Sequence, residues 1–95
     1  MKVSTTAKWT RLDIETPERY IEIKRWTTDS FYKYKESFII QIKKYLLQAK
    51  KTGKIVEIRS VNEIPSDMKV ELYQMADNYG VRLEINEGTG VTINE

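Results

Sequence analysis

Glu22 and Lys24 stand two residues apart in the run Tyr20-Ile21-Glu22-Ile23-Lys24-Arg25-Trp26, and a second carboxylate, Asp13, precedes Glu22 by nine residues. Two carboxylates held opposite each other can share a hard divalent cation such as magnesium, which takes oxygen ligands and needs no imidazole. An ammonium group on the same face can orient or activate a water, or stabilise charge developing on a phosphoryl group. Such chemistry needs a rigid support that holds the three groups at one place.

A hairpin is the support expected. Isoleucine alternates with charged or amphipathic residues from Tyr20 to Lys24. As a strand, this run is expected to bury Ile21 and Ile23 on one face and to display Glu22 and Lys24 on the other. Residues 2–14, rich in Thr, Val and Trp, read as one extended strand or two joined by a bend. Between these stretches, Thr16-Pro17-Glu18-Arg19 has the proline that a tight turn favours at its second position. With Pro17 and Glu18 central, hairpin counting sets Ile14 opposite Ile21, Asp13 opposite Glu22, Leu12 opposite Ile23 and Arg11 opposite Lys24.

The remaining chain predicts the elements that pack on this hairpin. Thr27-Thr28-Asp29-Ser30 supplies capping side chains to one long helix that ends at Gly53. Its apolar stripe is Tyr34, Phe38, Ile42, Tyr45 and Ala49, broadened by Phe31, Ile39 and Leu46. Ile55-Val56-Glu57-Ile58 reads as a buried strand. Ile64-Pro65-Ser66-Asp67 opens a second helix with apolar positions Leu72, Met75, Ala76 and Tyr79, closed by Gly80. Val81, Leu83 and Ile85 alternate with Arg82 and Glu84 as another strand, and residues 86–95 read as an edge strand or a tail. The expectation is a single α/β domain over residues 1–95. Its N-terminal hairpin leads into a strand-helix-strand-helix-strand series, with parallel pairing beyond the hairpin and a mixed sheet overall.

Composition narrows the chemistry further. The 95 residues include no cysteine and no histidine, which removes disulfides, thiolate metal sites, imidazole-based zinc sites and histidine general bases. Catalysis would have to run on carboxylates, lysines, tyrosines or a bound hard cation. A net charge of +2 permits a local basic patch but is far from the balance of a purely electrostatic nucleic-acid binder. No apolar run approaches the roughly 18 residues of a membrane span, so no membrane partner is expected and the cytoplasm is the expected site of action.

The residues already named resemble the PD-(D/E)XK nuclease superfamily. Asp13, then Glu22-Ile23-Lys24 on a hydrophobic strand, then a long helix, follow its pattern, and Gln41-Ile42-Lys43-Lys44-Tyr45 is similar to the Gln-x-x-x-Tyr element of its RecB-like branch. The resemblance implies a restriction-endonuclease-like fold and a nuclease of DNA or RNA. It implies Mg2+ or Mn2+ bound by Asp13 and Glu22, Lys24 as the catalytic lysine, Gln41 as a further polar group at the site and Tyr45 supporting it. Arg11, Arg25, Lys33 and Lys35 are the candidate phosphate contacts, and Trp9 and Trp26 offer flat surfaces for bases or covers for the sheet edge. The general layout also looks like the small nuclease domains of bacterial polymorphic toxins, which implies a cognate immunity protein, or a second copy in a homodimer, as protein partner. Leu12 stands where the superfamily usually has proline, and residues 1–9 lack the helical pattern with which its core normally begins. Asp67-Met68-Lys69 repeats the acidic-x-Lys spacing, but at a helix start. The plainer reading of Glu22 and Lys24 is a solvated cross-strand ion pair. The plainer reading of the whole chain is a non-catalytic binding module, such as an immunity protein, an antitoxin or a small phage-type regulator.

Overall fold

A computed structural model of the chain describes residues 14–88. Strands β1 (Ile14–Glu15) and β2 (Arg19–Lys24) are followed by helices α1 (Thr28–Lys33) and α2 (Lys35–Thr52), then β3 (Ile55–Ser60), α3 (Ser66–Tyr79) and β4 (Leu83–Glu87). The four strands form one mixed sheet in the order β1-β2-β3-β4, with β1 antiparallel to β2 and the other two pairings parallel. The hairpin, the parallel pairing beyond it and the α/β class are those expected from the sequence.

Each boundary has a local cause. Thr16 closes the hairpin turn: its N–H donates to the Arg19 carbonyl at 2.9 Å, and its Oγ1 accepts from the N–H groups of Glu18 and Arg19. Ile14 consequently faces Ile21, as the two-residue loop requires. Thr27 caps α1 by accepting from the Ser30 N–H at 3.3 Å. Gly53, at φ 79°, ends α2 in a left-handed conformation that side chains other than glycine adopt only at a cost. Among the described residues no helix is long and apolar enough to cross a membrane.

The register of β2 on β3 sets Tyr20 against Val56, Glu22 against Ile58 and Lys24 against Ser60. β4 continues the rows, with Leu83 beside Val56 and Ile85 beside Ile58. Side chains alternate along a strand, so Tyr20, Glu22 and Lys24 share the face of Val56, Ile58, Leu83 and Ile85. That is the face on which α2 and α3 lie. Its core gathers Tyr20, Val56, Ile58 and Leu83 with Phe31, Phe38, Ile42, Leu46 and Ala49, and with Ile64, Met68, Leu72 and Ala76.

Two expectations are corrected here. Glu22 and Lys24 are not displayed to solvent: Glu22 is 2% exposed beneath α2, and it is Ile21 and Ile23 that point away from the helices, although Ile21 is buried there as expected, at 3% exposed. The two isoleucines were the larger apolar pair on β2 alone, but β3 and β4 bring more apolar volume to the opposite side and decide the orientation. The long helix is also two helices, interrupted at Tyr34 (φ −109°, ψ 26°). Tyr34, expected in the apolar stripe, is 44% exposed. The interruption lets Phe31 and Phe38 bring their ring centroids to 5.3 Å, although seven residues of straight helix would rise about 10.5 Å.

The face turned away from the helices carries an ion-pair ladder. Glu57 and Glu84 are directly opposed on β3 and β4, a repulsive placement that Arg19 bridges at 3.2 and 2.7 Å. Arg59 Nε and Asn86 Nδ2 each donate to Glu57 at 2.8 Å. Burial pushes the Glu57 carboxyl up, but those two hydrogen bonds and the charges of Arg59 and Arg19 outweigh it and hold the group below its ordinary range. A carboxyl depressed in the folded state stabilises the fold above its unfolded value, and that contribution is lost as the pH falls through the folded value. Glu57→Gln is expected to lower stability at pH 7 by about 1–3 kcal/mol. Thermal unfolding followed at stepped pH should show wild type losing stability on acidification more steeply than the variant; parallel curves would exclude Glu57 as a source of acid sensitivity.

Candidate active site

β2 delivers a carboxylate and an ammonium group to the buried side of the sheet, where neither is tolerated alone. They neutralise each other. Lys24 Nζ lies 3.1 Å from Glu22 Oε2, and the two side chains retain 13% and 3% of their exposure. The remaining polarity is met from above. Tyr45, on α2, donates its hydroxyl to Glu22 Oε1 at 3.1 Å. Tyr45 is held there by a near-parallel stack on Tyr20, with ring centroids 6.3 Å apart, so the residue that precedes Glu22 on the same face of β2 positions its donor.

Aromatic rings form the other wall. Lys24 Nζ lies 4.2 Å from the centre of the Trp26 ring and 5.7 Å from that of Phe38. Trp26 in turn meets Phe31 and Phe38 edge-on at 5.3 and 5.8 Å. Cation–π attraction strengthens where water is excluded, so Lys24 is held between a carboxylate and an indole. The Lys-x-Trp spacing, which keeps both side chains on one side of an extended chain, is the sequence signal from which this contact could have been read.

The residues expected to act together therefore divide. Glu22, Lys24 and Tyr45 are brought together. Gln41 lies one helical turn before Tyr45 and is half-buried, and its side chain makes no hydrogen bond to another described residue. Arg25 and Lys33 are exposed, whereas Lys35 is engaged with Glu71 of α3 at 3.5 Å. Asp13 and Arg11, like Trp9 and residues 89–95, lie outside the described residues. Among the described residues no group of three or more His, Cys, Asp or Glu side chains could hold a metal ion.

A second polar cluster, not singled out from the sequence, closes the same face at the ends of the strands. Glu87 accepts from the Ile64 N–H at 2.8 Å and pairs with Lys69, fastening the start of α3 to β4. Its hydrogen bond to Lys69 raises the ammonium above its ordinary value despite the opposing effect of burial. Both partners are thus used in structure. Nothing in the local sequence relates Glu87 to residues 64 and 69, because the contact exists only after β4 has paired with β3.

No protein-family model matches the chain, and neither a curated protein nor a solved structure resembles it. The reading of the site rests on its chemistry. If the two charges depend on each other, Lys24→Met alone should cost about 3 kcal/mol by taking the ammonium group away from a buried carboxylate, while Glu22→Gln combined with Lys24→Met should recover much of that loss. Urea unfolding of the four members of the cycle measures the coupling. Additive losses would show that the pair is not a unit.

Proposed function

We propose that the chain is a divalent-metal-dependent nuclease that hydrolyses phosphodiester bonds in DNA or RNA, with a restriction-endonuclease-like arrangement and a cytoplasmic site of action. The observation that supports this most directly is the buried Glu22 carboxylate, held by the Tyr45 hydroxyl on one oxygen and by Lys24 on the other. A carboxylate and a lysine kept on the helix-covered side of a sheet cost desolvation energy that apolar residues of similar size avoid. Function is the reading under which that cost has a use.

The donor chemistry fits a hard cation. Magnesium binds through one or two carboxylates and retains water, so Glu22 together with Asp13 would hold it. When bound, it would supply a polarised phosphoryl oxygen and a more acidic water. The chain's own groups have separate tasks. Tyr45 fixes the rotamer of Glu22, which keeps one carboxylate oxygen aimed. Lys24 exchanges its contact with Glu22 for the phosphate, where its charge offsets the negative charge gained as water adds. Gln41, one turn from Tyr45 on α2, would orient water or the nucleic-acid backbone.

A second reading has its own support. Glu22 and Lys24 neutralise one another, as they would in a purely structural pair, and under that reading the chain is a binding module for a protein partner. Activity separates the two. On single- and double-stranded DNA and RNA, wild type is expected to cleave with Mg2+ or Mn2+ and to stop when the metal is chelated. Glu22→Gln and Lys24→Met are expected to lose about 100-fold or more, and Tyr45→Phe about 10–100-fold in apparent metal affinity. A folded wild type inert on all four substrates with either metal would overturn the nuclease reading. Growth arrest on expression, relieved by Glu22→Gln, would add the toxin assignment and with it an immunity protein as partner.

A further inference from the structure

Tyr34 is an aromatic residue placed where a helix would otherwise continue. It joins α1 to α2 with non-helical dihedrals (φ −109°, ψ 26°), is 44% exposed, and sets its ring 5.4 Å from Trp26 at an interplanar angle of 40°. Neither proline nor glycine explains the interruption. Trp26 is anchored from below by Phe31 and Phe38, both fully buried, so the half-buried indole is a rigid base for the more exposed tyrosine. Cations accompany the pair: Lys24, largely buried, lies over the Trp26 ring at 4.2 Å, the exposed Lys33 lies over the Tyr34 ring at 5.5 Å, where a stacked base would displace it, and Arg25 is exposed between them in sequence.

A rigid aromatic surface bordered by ammonium and guanidinium groups matches the chemistry of an unpaired nucleobase with its phosphates. We infer that Trp26 and Tyr34 form a stacking platform for a base of single-stranded nucleic acid, which delivers the neighbouring phosphate to Lys24. The inference rests on the nuclease reading for the role of Lys24, but the platform itself is a binding surface. A duplex does not fit it, because stacking and pairing hide the faces of its bases.

The test is direct binding in chelator, where no cleavage occurs, of fluorescent single-stranded DNA and RNA oligonucleotides, the matching duplexes, and an abasic single strand. Tyr34→Ala is expected to bind the single strands about 5- to 100-fold more weakly and the duplex and abasic probes unchanged, with Tyr34→Phe restoring wild-type binding. The DNA and RNA arms identify which strand is preferred. Trp26→Leu removes a residue packed on the core, so Tyr34, at the surface, carries the decision. Equal binding of the single strands by wild type and Tyr34→Ala, or an equal loss on the abasic strand, overturns the platform. Base-dependent binding with no cleavage under any metal upholds the platform and removes the nuclease reading, so the two fail separately.

Discussion

The parallel pairing of β2 with β3, Tyr20 against Val56, decides which side of the sheet every functional group occupies. Shifting it by one residue would exchange the faces, bring Ile21 and Ile23 under the helices and turn Glu22 outward. The register is held by more than β2. Val56, Ile58, Leu83 and Ile85 form a continuous apolar surface for Phe38, Ile42, Leu46, Met68 and Leu72, and β2 must present Tyr20 to complete it. Glu22 and Lys24 are carried onto the covered side as a consequence. The candidate site and the hydrophobic core thus share one face.

That sharing explains how a charged pair persists there. An isolated charge on the covered face would destabilise the domain by several kcal/mol, and a paired one remains tolerable only when its hydrogen-bonding capacity is met. Tyr45 supplies a hydroxyl to one carboxylate oxygen, Lys24 an ammonium to the other, and Trp26 its π face to the lysine. Each partner belongs to the core by most of its atoms and to the site by one group. The two sides of the sheet accordingly treat charge differently. On the outer face Arg19 relieves a repulsion between opposed glutamates, of which Glu57 is buried and Glu84 and Arg19 keep about a third of their exposure or less; on the inner face a single pair is kept close with little water to screen it.

The interruption at Tyr34 connects packing to the proposed role. Phe31 and Phe38 meet around Trp26 because α1 and α2 are separate segments, and the residue at the junction is then left at the surface with its ring against the same indole. An aromatic cluster that stabilises the helix junction also stiffens the end of β2, on which Lys24 sits. Order at the site is therefore a by-product of core formation, the arrangement in which functional groups are held most firmly.

Much of the scaffold is legible in the chain without its fold. Thr16-Pro17 marks the turn and hence the pairing of Ile14 with Ile21; Thr27, Gly53, Pro65 and Gly80 mark helix ends; the apolar runs at 55–58 and 83–85 mark strands that need helices between them. These are local properties, set by dihedral preference, capping and periodicity. The two-residue spacing of Glu22 and Lys24 is equally local, and both lie with Tyr45 in the structure, whereas the side chain of Gln41 makes no hydrogen bond to them. What the sequence of β2 could not decide is which of its faces the helices cover, since Ile21 and Ile23 on one side and Tyr20 on the other are both plausible core. That choice belongs to β3 and β4, more than thirty residues away, whose greater apolar volume outweighs two isoleucines. The contacts of Tyr45 with Glu22, Trp26 with Lys24 and Glu87 with Ile64 follow from it, because hydrogen bonds and ring contacts between distant residues exist only once the sheet has chosen its covered side.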